Sequence, residues 1–238
     1  MNLANKIPIL MYHDVSNKRN KNSVYYKNFF KQITFIKNLG YESVNLCDLD
    51  KKKIKKKFVI TFDDGYKNLA KYVLPFLKKN KIKATCFIVS NSIGKYNYWD
   101  EQNKSFIKRK IMSLKQIKSW VSAGLEIGSH TLNHHDLTTL SNDDKLIEIT
   151  KPIEILKKKL GIKVKTFSYP FGKYDNKSKY IVKKNYKYAV NTKRSRYEKN
   201  SFSLNMLPRI PINYDTSIFK LFLKTSTIYE DIKYKNDK

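Results

Sequence analysis

Lys57-Phe58-Val59-Ile60-Thr61-Phe62-Asp63-Asp64-Gly65-Tyr66 is the stretch on which the fold of this chain turns. The apolar run Phe58 to Phe62, rich in β-branched and aromatic side chains and free of Gly and Pro, predicts a strand buried on both faces. It stops abruptly at two carboxylates and a glycine. Taken alone, Asp-Gly after a strand is compatible with a plain turn. The same pattern recurs elsewhere, however: Ile9-Leu10-Met11-Tyr12 runs into His13, and Glu126-Ile127-Gly128-Ser129 runs into His130. Parallel strands deliver their carboxyl ends to one face, which is where barrels and doubly wound sheets build their sites. Separate pieces of chain are therefore expected to converge.

Outward from this stretch, short apolar runs alternate with segments of helical period. Ile7 to Tyr12 reads as a strand, Tyr26 to Leu39 as an amphipathic helix, and Glu42 to Leu46 as the next strand after Gly40. After Phe58 to Phe62 come a helix over Asn68 to Lys79, re-initiated around Pro75, and a strand over Ala84 to Val89. Leu114 to Ala123 reads as a helix closed by Gly124, followed by a strand over Leu125 to Gly128. A long helix spans about Asn142 to Leu160, with Ser141 and Asp143 suited to its start, Gly161 to its end, and Pro152 expected to kink it. Val164 to Ser168, a helix over about Asn176 to Lys184, Tyr188 to Asn191, Arg209 to Ile212 and a helix over about Thr216 to Thr227 complete the alternation. Such alternation implies a parallel sheet, either a barrel or a doubly wound sheet. There is no internal repeat. One domain over residues 1–230 is expected, with Asp231 to Lys238 a loose polar tail and Lys51 to Lys57 an exposed turn. The segment Ser90 to Lys110 is long and polar, and carries Tyr96, Tyr98 and Trp99.

The chain has 238 residues, 41% of them hydrophobic, which suffices for one sizeable core. No window approaches a membrane span, and the opening Met1 to Lys6 does not read as a signal peptide, so a cytoplasmic location is expected. Cys47 and Cys86 sit inside apolar runs and read as buried thiols. The formal charge of +29 raises nucleic acid as a partner. Only Arg19, Arg109, Arg194, Arg196 and Arg209 are arginines, whereas base readout and bidentate phosphate recognition lean on Arg, so nucleic acid is not expected. Association with an anionic membrane surface is the electrostatic alternative.

His130-Thr131-Leu132-Asn133-His134 places two histidines four residues apart. With one carboxylate from Asp63-Asp64 they form an N2O set that suits zinc and leaves a coordination position for water. Other first-row divalents fit the same donors. The second carboxylate is then placed to take a proton from that water.

Thr61-Phe62-Asp63-Asp64-Gly65-Tyr66, Ser129-His130-Thr131-Leu132-Asn133-His134 and Phe167-Ser168-Tyr169-Pro170-Phe171-Gly172 resemble, in order and spacing, the first three motifs of the polysaccharide deacetylase (NodB-homology) family. Met11-Tyr12-His13-Asp14-Val15 and Leu207-Pro208-Arg209-Ile210 resemble the branch that includes poly-N-acetylglucosamine deacetylases. The resemblance covers roughly residues 7–213. It implies an α/β fold, a distorted and incomplete (β/α) barrel, and a metal-dependent hydrolase that removes N-acetyl groups from an N-acetylated sugar or polysaccharide. It also implies that Asp64, His130 and His134 are the metal ligands and Asp63 the base, with His135 structural.

The departures from the family pattern shape the remaining assignments. Ser168 stands where the third motif has Arg, and Phe171 where it has Tyr. The Phe171 backbone N–H can still serve as an oxyanion donor, and Arg209 is a candidate for the cation that orients Asp63. The late Leu-x-His motif is missing and no histidine follows His135, which leaves His13 as the general acid. Tyr169, Pro170 and Trp99 are expected to contact substrate, Trp99 by stacking on a sugar ring or, equally, by packing its loop onto the barrel. The alternatives are a deformylase or another amide hydrolase of this fold, and a catalytically silent carbohydrate-binding relative.

Overall fold

The apolar runs lie side by side and in parallel. The computed structural model describes residues 6–18, 23–50, 54–102, 104–199 and 201–234. Its strands in chain order are β1 (Lys6–Ile7), β2 (Ile9–Tyr12), β3 (Asp14–Ser16), β4 (Ser23–Tyr25), β5 (Glu42–Val44) and β6 (Lys57–Phe62). They continue as β7 (Thr85–Ile88), β8 (Glu126–Ser129), β9 (Thr166–Ser168), β10 (Tyr188–Val190), β11 (Tyr197–Glu198) and β12 (Ile210–Pro211). The helices are α1 (Tyr26–Asn38), α2 (Leu74–Lys79), α3 (Leu114–Ser122), α4 (Asn142–Leu160), α5 (Asn176–Asn185), α6 (Ile218–Ser226) and α7 (Tyr229–Lys233).

One curled sheet runs in the order β10-β9-β8-β7-β6-β2-β12, with β5 joined to the first half of β6. Every pair in it is parallel. A single stretch nearly closes the curl: Leu207 bridges Val190 at one edge, and Ile210 pairs with Leu10 at the other. The expected incomplete barrel is therefore the observed fold. Two short pairings, β1 with β11 and β3 with β4, lie outside the sheet and were not read from sequence. At two or three residues each, they carry too little pattern to see.

Alternate residues of each strand go to two separate apolar clusters, as the two-residue period of a strand requires. Leu10, Ile60, Phe62, Ile88 and Phe167 join Phe29, Ile33, Trp120 and Ile149 from the helices. Ile9, Val59, Phe87, Val190 and Leu207 form the smaller cluster inside the curl. Thr61 and Ser168 share the inward face but are polar, and they lie toward the carboxyl ends of their strands.

The helices begin and end where their sequence signals lie. Ser141 caps α4 by accepting the Asp144 N–H, and Gly161 closes it at φ 67°. α4 runs on through Pro152, which is buried. Before α2 the chain is a π-helix over Leu69–Val73, with Pro75 in the first turn of α2 itself. Pro75 has no N–H and crowds the carbonyl four residues back, and the wider turn accommodates both effects.

Asp231 corrects the expected tail. It lies in α7, is buried, and accepts hydrogen bonds from Arg196 and Lys6. Partnered charge, rather than apolar pattern, holds that helix down, so hydropathy reads it as loose. Residues 235–238 of the expected tail, and 51–53 of the Lys51 to Lys57 turn, lie outside the described residues. Cys86 is fully buried and Cys47 partly so, both as free thiols.

Candidate metal centre and active-site cavity

Five residues other than glycine take positive φ among the described residues, and four of them gather in one place: Asp64 at 69°, Thr131 at 64°, His134 at 66° and Phe171 at 57°. The left-handed conformation costs about 1–2 kcal/mol at each such residue, and backbone strain of this kind clusters at functional sites. The ladder shows how it is imposed. Asp63 N–H still donates to the Tyr12 carbonyl, extending β6, while Gly65 N–H turns back onto the Asp63 carbonyl at 2.8 Å. Asp64 is thereby thrown out of the strand. Likewise His130 N–H completes the ladder to Ile88, after which Ser90 and Asn91 donate to the Thr131 and Leu132 carbonyls. His134 N–H returns to the Thr131 hydroxyl.

These turns bring the ligand-type atoms of Asp64, His130 and His134 within 4.8 Å of one another, all buried. Both histidine Nε2 atoms lie 3.5 Å from the same Asp64 Oδ1. His130 Nδ1 is 2.8 Å from the Ser168 carbonyl. A carbonyl only accepts, so Nδ1 carries a proton, and Nε2 is the ring nitrogen turned toward Asp64. Burial, with a smaller effect from His130, drives the His134 pKa well down and keeps that ring neutral. Burial likewise raises the Asp64 pKa, against the opposing pull of His13 and His130. Lone pairs facing a carboxylate in a buried site repel unless a cation lies among them, so this donor set fits a divalent metal ion.

Asp63 stands beside this group but is tied elsewhere. Arg209, fully buried, donates from both terminal nitrogens to the two Asp63 oxygens at 2.7 Å each. It also donates to Thr61 Oγ1, Ser168 Oγ and the Asn191 carbonyl, which fixes its plane inside the curl. Burial works to raise the Asp63 pKa. The Arg209 charge overrides it, with His130 helping, and holds the carboxyl below the usual carboxylate range. Arg209 reaches from one side to the place Ser168 vacates, where the serine hydroxyl accepts from it.

A cavity of about 260 Å³ opens over these groups, lined by His13, Asp63, Asp64, His130, His134, Tyr169, Phe171 and Trp99 among others. His13 is exposed at the end of β2. Phe171 is half exposed at 52%, with its ring edge on His134. Trp99 stacks on the His134 ring, with centroids 4.8 Å apart. Trp99 thus packs its loop onto the site and lines the cavity at once. Tyr169 contributes to the wall, but its hydroxyl is turned away to the Asn205 carbonyl. Pro170, expected at the substrate, is buried and is not part of the cavity wall. It starts the tight turn that carries Phe171.

Several residues escaped the sequence reading. Tyr66 hydrogen-bonds Asp64, and lies within the Asp-Asp-Gly-Tyr stretch that could have flagged it. Glu148, buried on α4, accepts from Asn133 N–H and Nδ2, and lies 3.2 Å from His135 Nδ1. His135 consequently faces away from the candidate metal site. Asp14 is buried on the cavity wall, and burial raises its pKa against the Asn68 hydrogen bond and the Arg109 charge. One acidic residue inside a helical or strand pattern gives no signal of its own.

A curled parallel sheet that presents a carboxylate pair and two histidines at its strand ends defines a class of protein, and comparison with known sequences places the chain within it. Residues 50–189 match the profile of the polysaccharide deacetylase family. The chain belongs to that family. It is 30% identical over 231 residues to the poly-beta-1,6-N-acetyl-D-glucosamine N-deacetylase of Staphylococcus aureus, covering 89% of this chain and 76% of that one. It is 30% identical over 194 residues to YxkH of Bacillus subtilis, covering 79% of this chain and 64% of that protein's length. Among solved structures, the Streptococcus pyogenes deacetylase PplD, in complex with acetate, superposes with a TM-score of 0.77 at 27% identity, covering 92% of this chain and 98% of that one. Among the described residues no helix is long and apolar enough to cross a membrane.

Proposed function

We propose that this chain is a metal-dependent N-deacetylase that hydrolyses the acetamido group of an N-acetylated glycan, with Asp64, His130 and His134 as the ligand set. The observation that carries the reading is the division of labour between two adjacent carboxylates. Asp64 faces the Nε2 atoms of two imidazoles, whereas Asp63 is gripped by Arg209 and kept ionised. A divalent ion, zinc by the chemistry of its donors, supplies Lewis-acid polarisation of water and of the acetyl carbonyl.

Asp63 accepts the proton of the attacking water, and Arg209 orients that carboxylate without touching substrate. The Phe171 N–H, presented by the left-handed turn, donates to the oxyanion that develops at the acetyl carbonyl oxygen. His13, on the same face, gives its proton to the departing amine as the C–N bond breaks. Trp99 and the Tyr169 ring border the reacting sugar. The cavity is at the small end for a ligand site, which suits one sugar unit and leaves the rest of a polymer outside it. The test is incubation of the metal-loaded protein with N-acetylated oligosaccharides, reading acetate and product mass. Formate in place of acetate, or no cleavage of any N-acyl sugar, refutes the reading.

A further inference from the structure

The reacting cavity adjoins ground of a different chemical character. Tyr66 and Arg109 line the active-site cavity and also a second one of about 440 Å³, whose wall includes Lys67, Lys71, Lys108 and Lys110. Lys67 and Lys110 in turn line a third cavity of about 390 Å³ together with Lys115. No carboxylate lines the second or the third. All five lysines are exposed, and among the described residues none of them is in a salt bridge.

The backbone segments that carry Lys67 and Lys110 are held together. Lys67 N–H donates to the Lys110 carbonyl at 2.8 Å, Met112 N–H to the Gly65 carbonyl at 2.9 Å, and Tyr66 and Ile111 form an antiparallel bridge. The long loop is thereby fastened onto the chain just after the catalytic carboxylates, and Lys67 cannot drift away from Lys110. Lysines gathered on one stretch of surface with no carboxylate among them set up a positive potential that an anionic group would neutralise. Because the active-site cavity holds about one sugar unit, a longer substrate must leave it, and this cationic trough is one way out.

We propose that the trough is a subsite for anionic groups, and that the preferred substrate is an N-acetylated glycan bearing phosphodiester or carboxylate groups on the units next to the reacting sugar. This rests on the deacetylase reading and narrows its substrate class. Phosphate and uronate present the same charge to lysine ammonium groups, so the probes must separate them.

The experiment uses the full chain loaded with zinc and three probes of matched length: neutral chitin oligosaccharides, hyaluronan oligosaccharides carrying glucuronate, and N-acetylglucosamine-substituted glycerol phosphate oligomers. Binding by titration and acetate release are both read at low and at physiological salt. At least one anionic probe should bind about tenfold or more tightly than the neutral one at low salt, with the gap closing as salt rises. The triple variant Lys67→Gln, Lys71→Gln, Lys110→Gln should erase the preference and leave the neutral probe unchanged, while the corresponding triple Arg variant keeps it. Equal binding of all three probes, or a Gln variant that weakens neutral and anionic probes alike, overturns the proposal. So does binding to phosphatidylglycerol vesicles that the Gln variant abolishes while the oligosaccharides show no preference, which would make the trough a membrane contact. Acetate release from chitin oligosaccharides alone would retain the deacetylase reading and remove this one; anionic binding without any deacetylation would do the reverse.

Discussion

Replacing Arg209 with Met removes a buried cation and leaves its partner behind. In the native protein the guanidinium makes five hydrogen bonds, two of them to Asp63, and the pair is almost wholly buried. Breaking a buried pair from one side costs about 3–5 kcal/mol, because the remaining charge is uncompensated. At about 2–4 °C per kcal/mol for a chain of this size, thermal unfolding at pH 7 should fall by roughly 6–20 °C. The pH dependence should reverse in sign. Native Asp63 has a folded pKa below its unfolded value, so it stabilises above the ordinary carboxylate range and loses that contribution as pH drops through the depressed value. In Arg209→Met only burial and weaker partners remain, the folded value rises, and the penalty shrinks as the medium is acidified toward pH 4. The double variant Arg209→Met, Asp63→Asn should recover much of the loss, since no charge is then stranded. Melting curves of the four proteins from pH 4 to 8 decide the matter. A single variant that loses under about 1 kcal/mol, or a double variant less stable than either single, would refute the account of a buried, mutually dependent pair.

Asp63→Asn should keep its metal, measured by elemental analysis, while turnover drops by at least about 10²–10⁴-fold, the loss expected for a general base; metal lost with activity would make Asp63 a ligand. His134→Ala should lose both metal and activity, and chelation of the native protein should abolish activity reversibly. Full occupancy in a His130→Ala, His134→Ala double variant sinks the ligand assignment. His13→Ala should retain metal, lose roughly 10²–10⁴-fold in turnover on an unactivated N-acetyl sugar, and lose the alkaline limb of its pH profile. Trp99→Ala should raise KM for oligosaccharides more than it lowers kcat, and it should weaken metal binding if its stacking on His134 positions that ring.

The parallel sheet was legible because its strands are buried on both faces, and burial on both faces writes itself as continuous apolar runs ending in polar residues. Phe58 to Phe62 could hardly belong elsewhere. What escaped was structure held by polar atoms. β11 is two residues long, and α7 is fastened through Asp231 to Arg196 and Lys6, a partnership between residues 225 positions apart for Lys6 and Asp231. The π-turn before Pro75 was visible only as a proline in a helical pattern, because periodicity over five residues cannot separate 3.6 from a wider turn.

At the site, the ligand-type residues and Asp63 could be read because each stands where a strand stops. The residues that aim them could not. Glu148 fixes the turn between the two histidines from the middle of a helix, where no pattern marks it. Arg209 lies between these cases. It was suggested by an absence, since Ser168 occupies the place where a cation would orient Asp63, and a buried carboxylate needs one from somewhere. Ser168 faces inward on β9, and so does the Arg209 guanidinium, entering from the segment that nearly closes the curl. A small side chain at 168 is what leaves the interior room for it. The two positions are thus coupled by volume as well as by charge. An arginine restored at 168 without removal of the one at 209 would crowd two guanidinium groups onto one carboxylate, and would be expected to destabilise the fold rather than reinforce the base.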